Sequence, residues 1–148
     1  MAENLKLARL YFLILAIVAA GRWVMSILDV PYARGTDKMS IVIVTLFSSI
    51  FYGAFCRRWR GFKIMQAAVL GATLGFAAQV VIFLSTLASY LLGLETYFNN
   101  PIALNATAAV PMLSALGLRA VGLVVNTILN GIAGALGWAM GALLPESR

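Results

Sequence analysis

The sequence predicts an all-α, polytopic membrane protein: a bundle of four transmembrane helices with an additional interfacial or re-entrant helix between the third and the fourth. Three observations carry this reading. Hydrophobic residues make up 62% of the 148 residues and charged residues 11%, against roughly 25% charged in soluble domains. Mean hydropathy is +0.94. The apolar residues fall in four runs bounded by charges, prolines and turn residues, the pattern of membrane-spanning helices.

The first run covers about residues 7–28, opened by Lys6 and Arg9 and closed by Asp29, Pro31 and a polar loop through Lys38. A signal peptide is the competing reading of "KLARLYFLILAIVAAG", with its basic start and small residues near Ala20. The second run, 39–56, holds roughly 18 residues, near the lower limit for crossing about 30 Å of hydrocarbon, and is expected to stand upright. "RRWRGFK" follows. Its Arg57, Arg58, Arg60 and Lys63, with Trp59 and Phe62, read as an interfacial turn in contact with anionic lipid headgroups.

The third run, 64–94, would measure about 46 Å as one helix, so it tilts or projects from the bilayer. After "ETYFNNP" comes a moderately apolar segment, 101–118, interrupted by Asn105, Thr107 and Pro111. A central proline removes a backbone donor that lipid cannot replace, which favours an interfacial or re-entrant helix over a fifth span. The last run, 120–144, ends at Pro145. With no internal repeat and no long linker, residues 1–148 read as a single integral membrane domain.

Charge sets the orientation. Lys6, Arg9, Arg57, Arg58, Arg60, Lys63 and Arg148 fall on one side of a four-span arrangement, and Arg34, Lys38 and Arg119 on the other. The positive-inside bias places both termini in the cytoplasm, in an inner or plasma membrane. The net charge of +6 is accounted for by these flanks and anionic headgroups, so nucleic acid is not an expected partner.

Within the last run, Arg119, Gly122, Asn126, Asn130, Gly134, Gly137 and Gly141 recur three or four apart and form one helix face. Smaller rows occur at Gly71, Gly75, Ala78 and Gln79 in the third run and at Thr45, Ser49, Tyr52 and Cys56 in the second. Small residues let helices approach closely in lipid, and buried amides seek partners across the contact. These faces therefore read as packing surfaces. The alternative is a polar path lined by Asn126, Asn130, Gln79 and Ser49.

Arg22 is the one ionisable residue well inside a span, and its charge asks for a partner. Asp29, about 10 Å further along the helix, is the candidate, with Trp23 as an aromatic neighbour. The alternative is an anion, a lipid phosphate or an acidic group of another subunit.

The residue inventory argues against catalysis. There is no histidine, and Glu3, Asp29, Asp37, Glu95 and Glu146 all lie in loops or at ends, so a histidine-ligated metal, a serine–histidine triad and a midplane proton relay all lack their residues. An outer carboxylate cluster of Asp29, Asp37 and Glu95 has no motif behind it. The lone Cys56 excludes an internal disulfide, and its arginine flank leaves acylation as a minor alternative. No metal or cofactor is expected. The function expected is that of a non-catalytic helical subunit assembling with itself or with a larger membrane complex; the alternative is a homo-oligomeric channel or small-solute transporter with its path along the third and fourth helices.

Overall fold

In a computed structural model, which describes residues 6–32 and 40–145, the chain forms four long helices: α1 (Arg9–Ile27), α2 (Ile41–Arg60), α3 (Ile64–Leu91) and α4 (Met112–Met140). Short 3-10 turns follow at Ile102–Leu104 and Gly141–Leu143, and no strand occurs among the described residues. All four helices are long and apolar enough to cross a membrane, which points to a membrane location. The readings that involve Glu3, Arg34, Asp37, Lys38, Met39, Glu146 and Arg148 lie outside the described residues.

Helix ends follow local chemistry. Ser40 caps α2 by accepting from the Ile43 N–H at 3.4 Å, and α2 continues through "RRWR" to a left-handed Gly61, φ 64°. The basic segment expected as a turn is thus the last turn of a helix, where cations suit the negative end of the helix dipole. Gly93, φ 64°, ends α3 at Leu91, three residues earlier than expected, because a left-handed residue breaks the ladder and lets the Leu94 N–H return to Ser89 O at 2.9 Å.

Segment 101–118 departs from the sequence reading. Its first part holds only the Ile102–Leu104 turn, and from Met112 onward it belongs to α4. Pro111, expected within an interfacial helix, instead precedes the first residue of α4 with φ −59°. Its missing N–H costs nothing there, and its carbonyl accepts from Ala115 N at 2.9 Å. The fourth long helix starts eight residues earlier than the span expected from the sequence.

α4 lies in the groove between α2 and α3, antiparallel to α3 and parallel to α2. Steps of four along α3 match steps of four back along α4: Ala67 meets Gly134, Gly71 meets Asn130, Gly75 meets Asn126 and Asn130, and Gln79 meets Gly122. On the other flank Gly53 meets Gly134, Ile50 meets Gly137 and Ala54 meets Gly141. A methyl group at Gly53, Gly71, Gly134 or Gly137 would collide with a backbone carbonyl oxygen of the facing helix, so these contacts require glycine. α1 packs at the edge of this three-helix unit through Tyr11, Leu15 and Val18. The Tyr11 hydroxyl donates to Leu74 O at 3.0 Å and lies 3.0 Å from Thr45 Oγ1, which ties α1 to α2 and α3.

Candidate functional site: a two-arginine cavity beneath the 92–111 loop

The loop between α3 and α4 is held in place by its own polar groups. Tyr90 OH donates to Val110 O at 2.6 Å, Asn99 Oδ1 accepts from Thr96 N at 2.7 Å, and Asn100 Oδ1 accepts from Ile102 N at 2.9 Å. α1 grips the same loop. Ser26 Oγ accepts from Tyr97 N at 2.9 Å and Tyr97 OH donates to Val30 O, just past α1, at 2.7 Å; nearby, Trp23 Nε1 donates to Ser85 Oγ of α3 at 3.3 Å.

Two cavities open at this end. The larger, about 490 Å³, has Asp29, Glu95, Tyr32, Tyr90, Tyr97 and Asn99 among its walls. The smaller, about 130 Å³, is lined by Arg22, Arg119, Ser40, Tyr32, Tyr97 and Phe98, with aliphatic residues completing the wall. Tyr32 and Tyr97 border both, and their rings meet edge to face at 5.1 Å.

Arg22 and its candidate partner Asp29 are placed on different cavities. The Arg22 guanidinium carbon sits 5.8, 5.5 and 5.6 Å from the ring centres of Tyr32, Tyr97 and Phe98, within reach of cation–π attraction. Asp29 is exposed at the end of α1 with φ 50°. Of the three carboxylates expected to cluster, Asp29 and Glu95 share the larger cavity. Among the described residues no three of His, Cys, Asp and Glu are grouped to hold a metal ion.

Arg119, counted in the sequence only as a helix-flanking charge on the glycine stripe, reaches into the smaller cavity. Its Nη2 donates to Phe98 O at 2.6 Å, its Nε to Thr86 Oγ1 at 3.2 Å and its Nη1 to Ala103 O at 3.5 Å. Ninety-seven positions separate Arg22 from Arg119, so no periodicity connects them; their meeting depends on the folded loop that carries Phe98.

The remaining sequence candidates gather in the helix interior. Ser49 Oγ lies 2.8 Å from Asn130 Oδ1, Asn130 Nδ2 donates to Asn126 O at 2.8 Å, and Asn126 Nδ2 donates to Gly122 O at 2.9 Å. Gln79 lies in the same row. Gly71, Gly75, Gly134, Gly137 and Gly141 are all used in contacts among α2, α3 and α4 of the one chain. Gly53, which the sequence rows on α2 passed over, joins them because its need for glycine is visible only once Gly134 faces it.

The basic cluster is divided. Arg57 donates to the carbonyls of Trp138 and Ala139 at 3.1 and 3.3 Å and lies 4.1 Å over the Trp138 ring. Arg58 Nε donates to Pro145 O at 3.1 Å. Arg57 thus holds the C-terminal end of α4 and Arg58 the segment that follows it, while Arg60 is exposed and the Lys63 backbone N–H is capped by Gln66 Oε1 at 2.8 Å. Cys56 is fully buried.

Comparison with protein-family models, with curated proteins and with solved structures finds no match to this chain.

Proposed function

We propose that this chain is a non-catalytic, four-span membrane subunit with both termini cytoplasmic, which assembles with another copy or with a larger membrane complex along the outer seam between α3 and α4. The observation that carries this reading is the seam itself, a groove of about 380 Å³ floored by Ala68 and Ala72 of α3 and by Gly131 and Ala135 of α4. Its surface is wholly apolar apart from Thr127, whose hydroxyl is the buried side-chain polar atom left without a hydrogen-bond partner among the described residues. In lipid, helices associate where small residues permit close backbone approach. The inward-facing glycines are already engaged within the chain, whereas this second small-residue strip faces outward.

The orientation rests on the charge bias. Arg57, Arg58, Arg60 and Lys63 gather at the end where α2 stops and α3 begins, and they set that end against the anionic cytoplasmic leaflet. With that orientation the 92–111 loop would face the outer side of the membrane.

Cross-linking in native membranes tests the reading. Gly131→Leu or Ala135→Leu fills the groove and should abolish a cross-linked species that the wild type gives, while the helix content of the purified variant stays unchanged. Retention of that species in both variants contradicts the seam as the contact. A second reading, a homo-oligomeric channel or transporter, draws on the hydrogen-bonded row of Asn126, Asn130 and Ser49, with Gln79 and Asn126 both beside Gly122. It requires that Asn126→Leu with Asn130→Leu abolish solute flux in liposomes while assembly persists.

A further inference from the structure

Gln79 is an amide inside an apolar helix. It is 5% exposed, and it lies fifteen residues past the start of α3, about 22 Å of helix rise. Its side chain makes no hydrogen bond to any described residue. A glutamine amide carries two donors and one acceptor, and on the four-span reading the hydrocarbon at this depth satisfies none of them. With so little surface open, neither a helix of a partner nor a lipid chain reaches it. The Thr127 hydroxyl is also unpartnered, but it is sealed within the protein, whereas Gln79 retains a small opening.

The amide faces a niche at Gly122 of α4. At Gly53, Gly71, Gly134 and Gly137 an added methyl would collide with a carbonyl of the facing helix, but at Gly122 it would meet only Gln79 Oε1 at 3.6 Å and Asn126 Nδ2 at 3.8 Å. The missing side chain therefore leaves room for about one methyl group between the helices, and that room is walled by two amides. Asn126 Nδ2 already donates to Gly122 O at 2.9 Å, which uses one of its two N–H groups. A guest of this size must both accept from and donate to amides, and a water molecule does so whichever way the Gln79 amide is turned.

We infer that Gln79, Asn126 and Gly122 form a binding site for a single water, held between α3 and α4 at hydrocarbon depth. The water extends the hydrogen-bonded row of Ser49, Asn130 and Asn126 across to α3, so that polar contacts link α2, α3 and α4. The site lies on the inner face of the α3–α4 contact, away from the outer seam, and stands whether or not the chain assembles there.

The test is water-edited solid-state NMR on the full chain in phosphatidylcholine bilayers, reading magnetisation passed from water to the Gln79 side-chain amide. Phe76, three residues away and 50% exposed on the outward side of α3, is the reference. Transfer to Gln79 but not to Phe76 is expected, with loss of that transfer in Gly122→Ser, whose hydroxyl takes the place of the water. No transfer to Gln79 in the wild type overturns the inference, as does transfer that persists unchanged in Gly122→Ser. Equal transfer to Phe76 would put bulk water at this depth and overturn the four-span reading together with the trapped water. Thermal unfolding supplies a second arm. Alanine is the better helix former, yet Gly122→Ser should melt about 2 to 4 °C above Gly122→Ala, the shift expected for one hydrogen bond in a chain of this size. That advantage should vanish when Gln79→Leu is added, and a Gly122→Ala that melts at or above Gly122→Ser with Gln79 in place contradicts the site.

Discussion

The Ser49 hydroxyl of α2 and the Asn130 side-chain oxygen of α4 meet at 2.8 Å inside the bundle, with Ser49 fully buried and Asn130 3% exposed. The other end of the same amide returns to Asn126 O at 2.8 Å. The single Ser49 hydroxyl proton is within reach of Asn130 Oδ1 across the helix contact and of Thr45 O on its own helix at 2.9 Å, and this contact sits one turn from the junction of Gly53, Gly71 and Gly134. Ser49→Ala removes the donor and should lower stability by about 0.6 to 1.7 kcal/mol. Asn130→Leu, nearly the same shape, should lower it further, because it removes both the acceptor for Ser49 and the donor to Asn126 O. Thermal unfolding in one detergent, followed by circular dichroism, reads both changes.

Glycine substitutions should divide sharply by position. Gly134→Ala sets a methyl against Ala67 O, and overpacking of this kind costs about 1 to 3 kcal/mol. Gly117 lies on the same helix with no neighbouring atom within 4 Å of an added methyl, so Gly117→Ala should be neutral or slightly stabilising. A midpoint drop for Gly134→Ala no greater than that for Gly117→Ala would contradict the close α3–α4 approach.

Arg57 and Arg60 differ in role although three residues apart. Arg57→Gln removes the donors to Trp138 O and Ala139 O and the cation over the Trp138 ring; it should accelerate amide exchange over residues 138–145 and cost about 1 to 2 kcal/mol. Arg60 is exposed, and Arg60→Gln should leave exchange in that segment unchanged. Hydrogen–deuterium exchange on the paired variants separates the two.

Cys56 should resist modification. It has no exposed surface, and a thiol in apolar packing is an inert one. Maleimide labelling of the folded protein should proceed at least tenfold more slowly than after denaturation, with comparable rates arguing instead for an accessible, acylatable thiol.

The four apolar helices were legible because their runs are long and bounded by charges, and the α4 stripe from Gly122 to Gly141 was legible because helical periodicity alone puts it on one face. Element ends were less so. Pro111 is compatible with either the middle of a kinked interfacial helix or the start of a span, and only the chain entering from Val110 decides between them. Gly53 carries no local signal; its need for glycine comes from the Gly134 carbonyl of a helix about eighty residues away. The Arg22–Arg119 cavity was half legible. An arginine within an apolar run asks for a partner, and Asp29 was its nearest carboxylate in sequence, whereas the folded loop brings the Phe98 ring to Arg22 and the Phe98 carbonyl to Arg119.

The most direct test of the subunit reading is native mass spectrometry of the chain extracted gently from its own membrane, with every co-migrating protein weighed. The account predicts either a whole-number multiple of the chain mass or a second membrane protein at fixed stoichiometry, and loss of that species in Gly131→Leu. A chain that remains monomeric and alone in the mildest extraction that preserves its fold would contradict it.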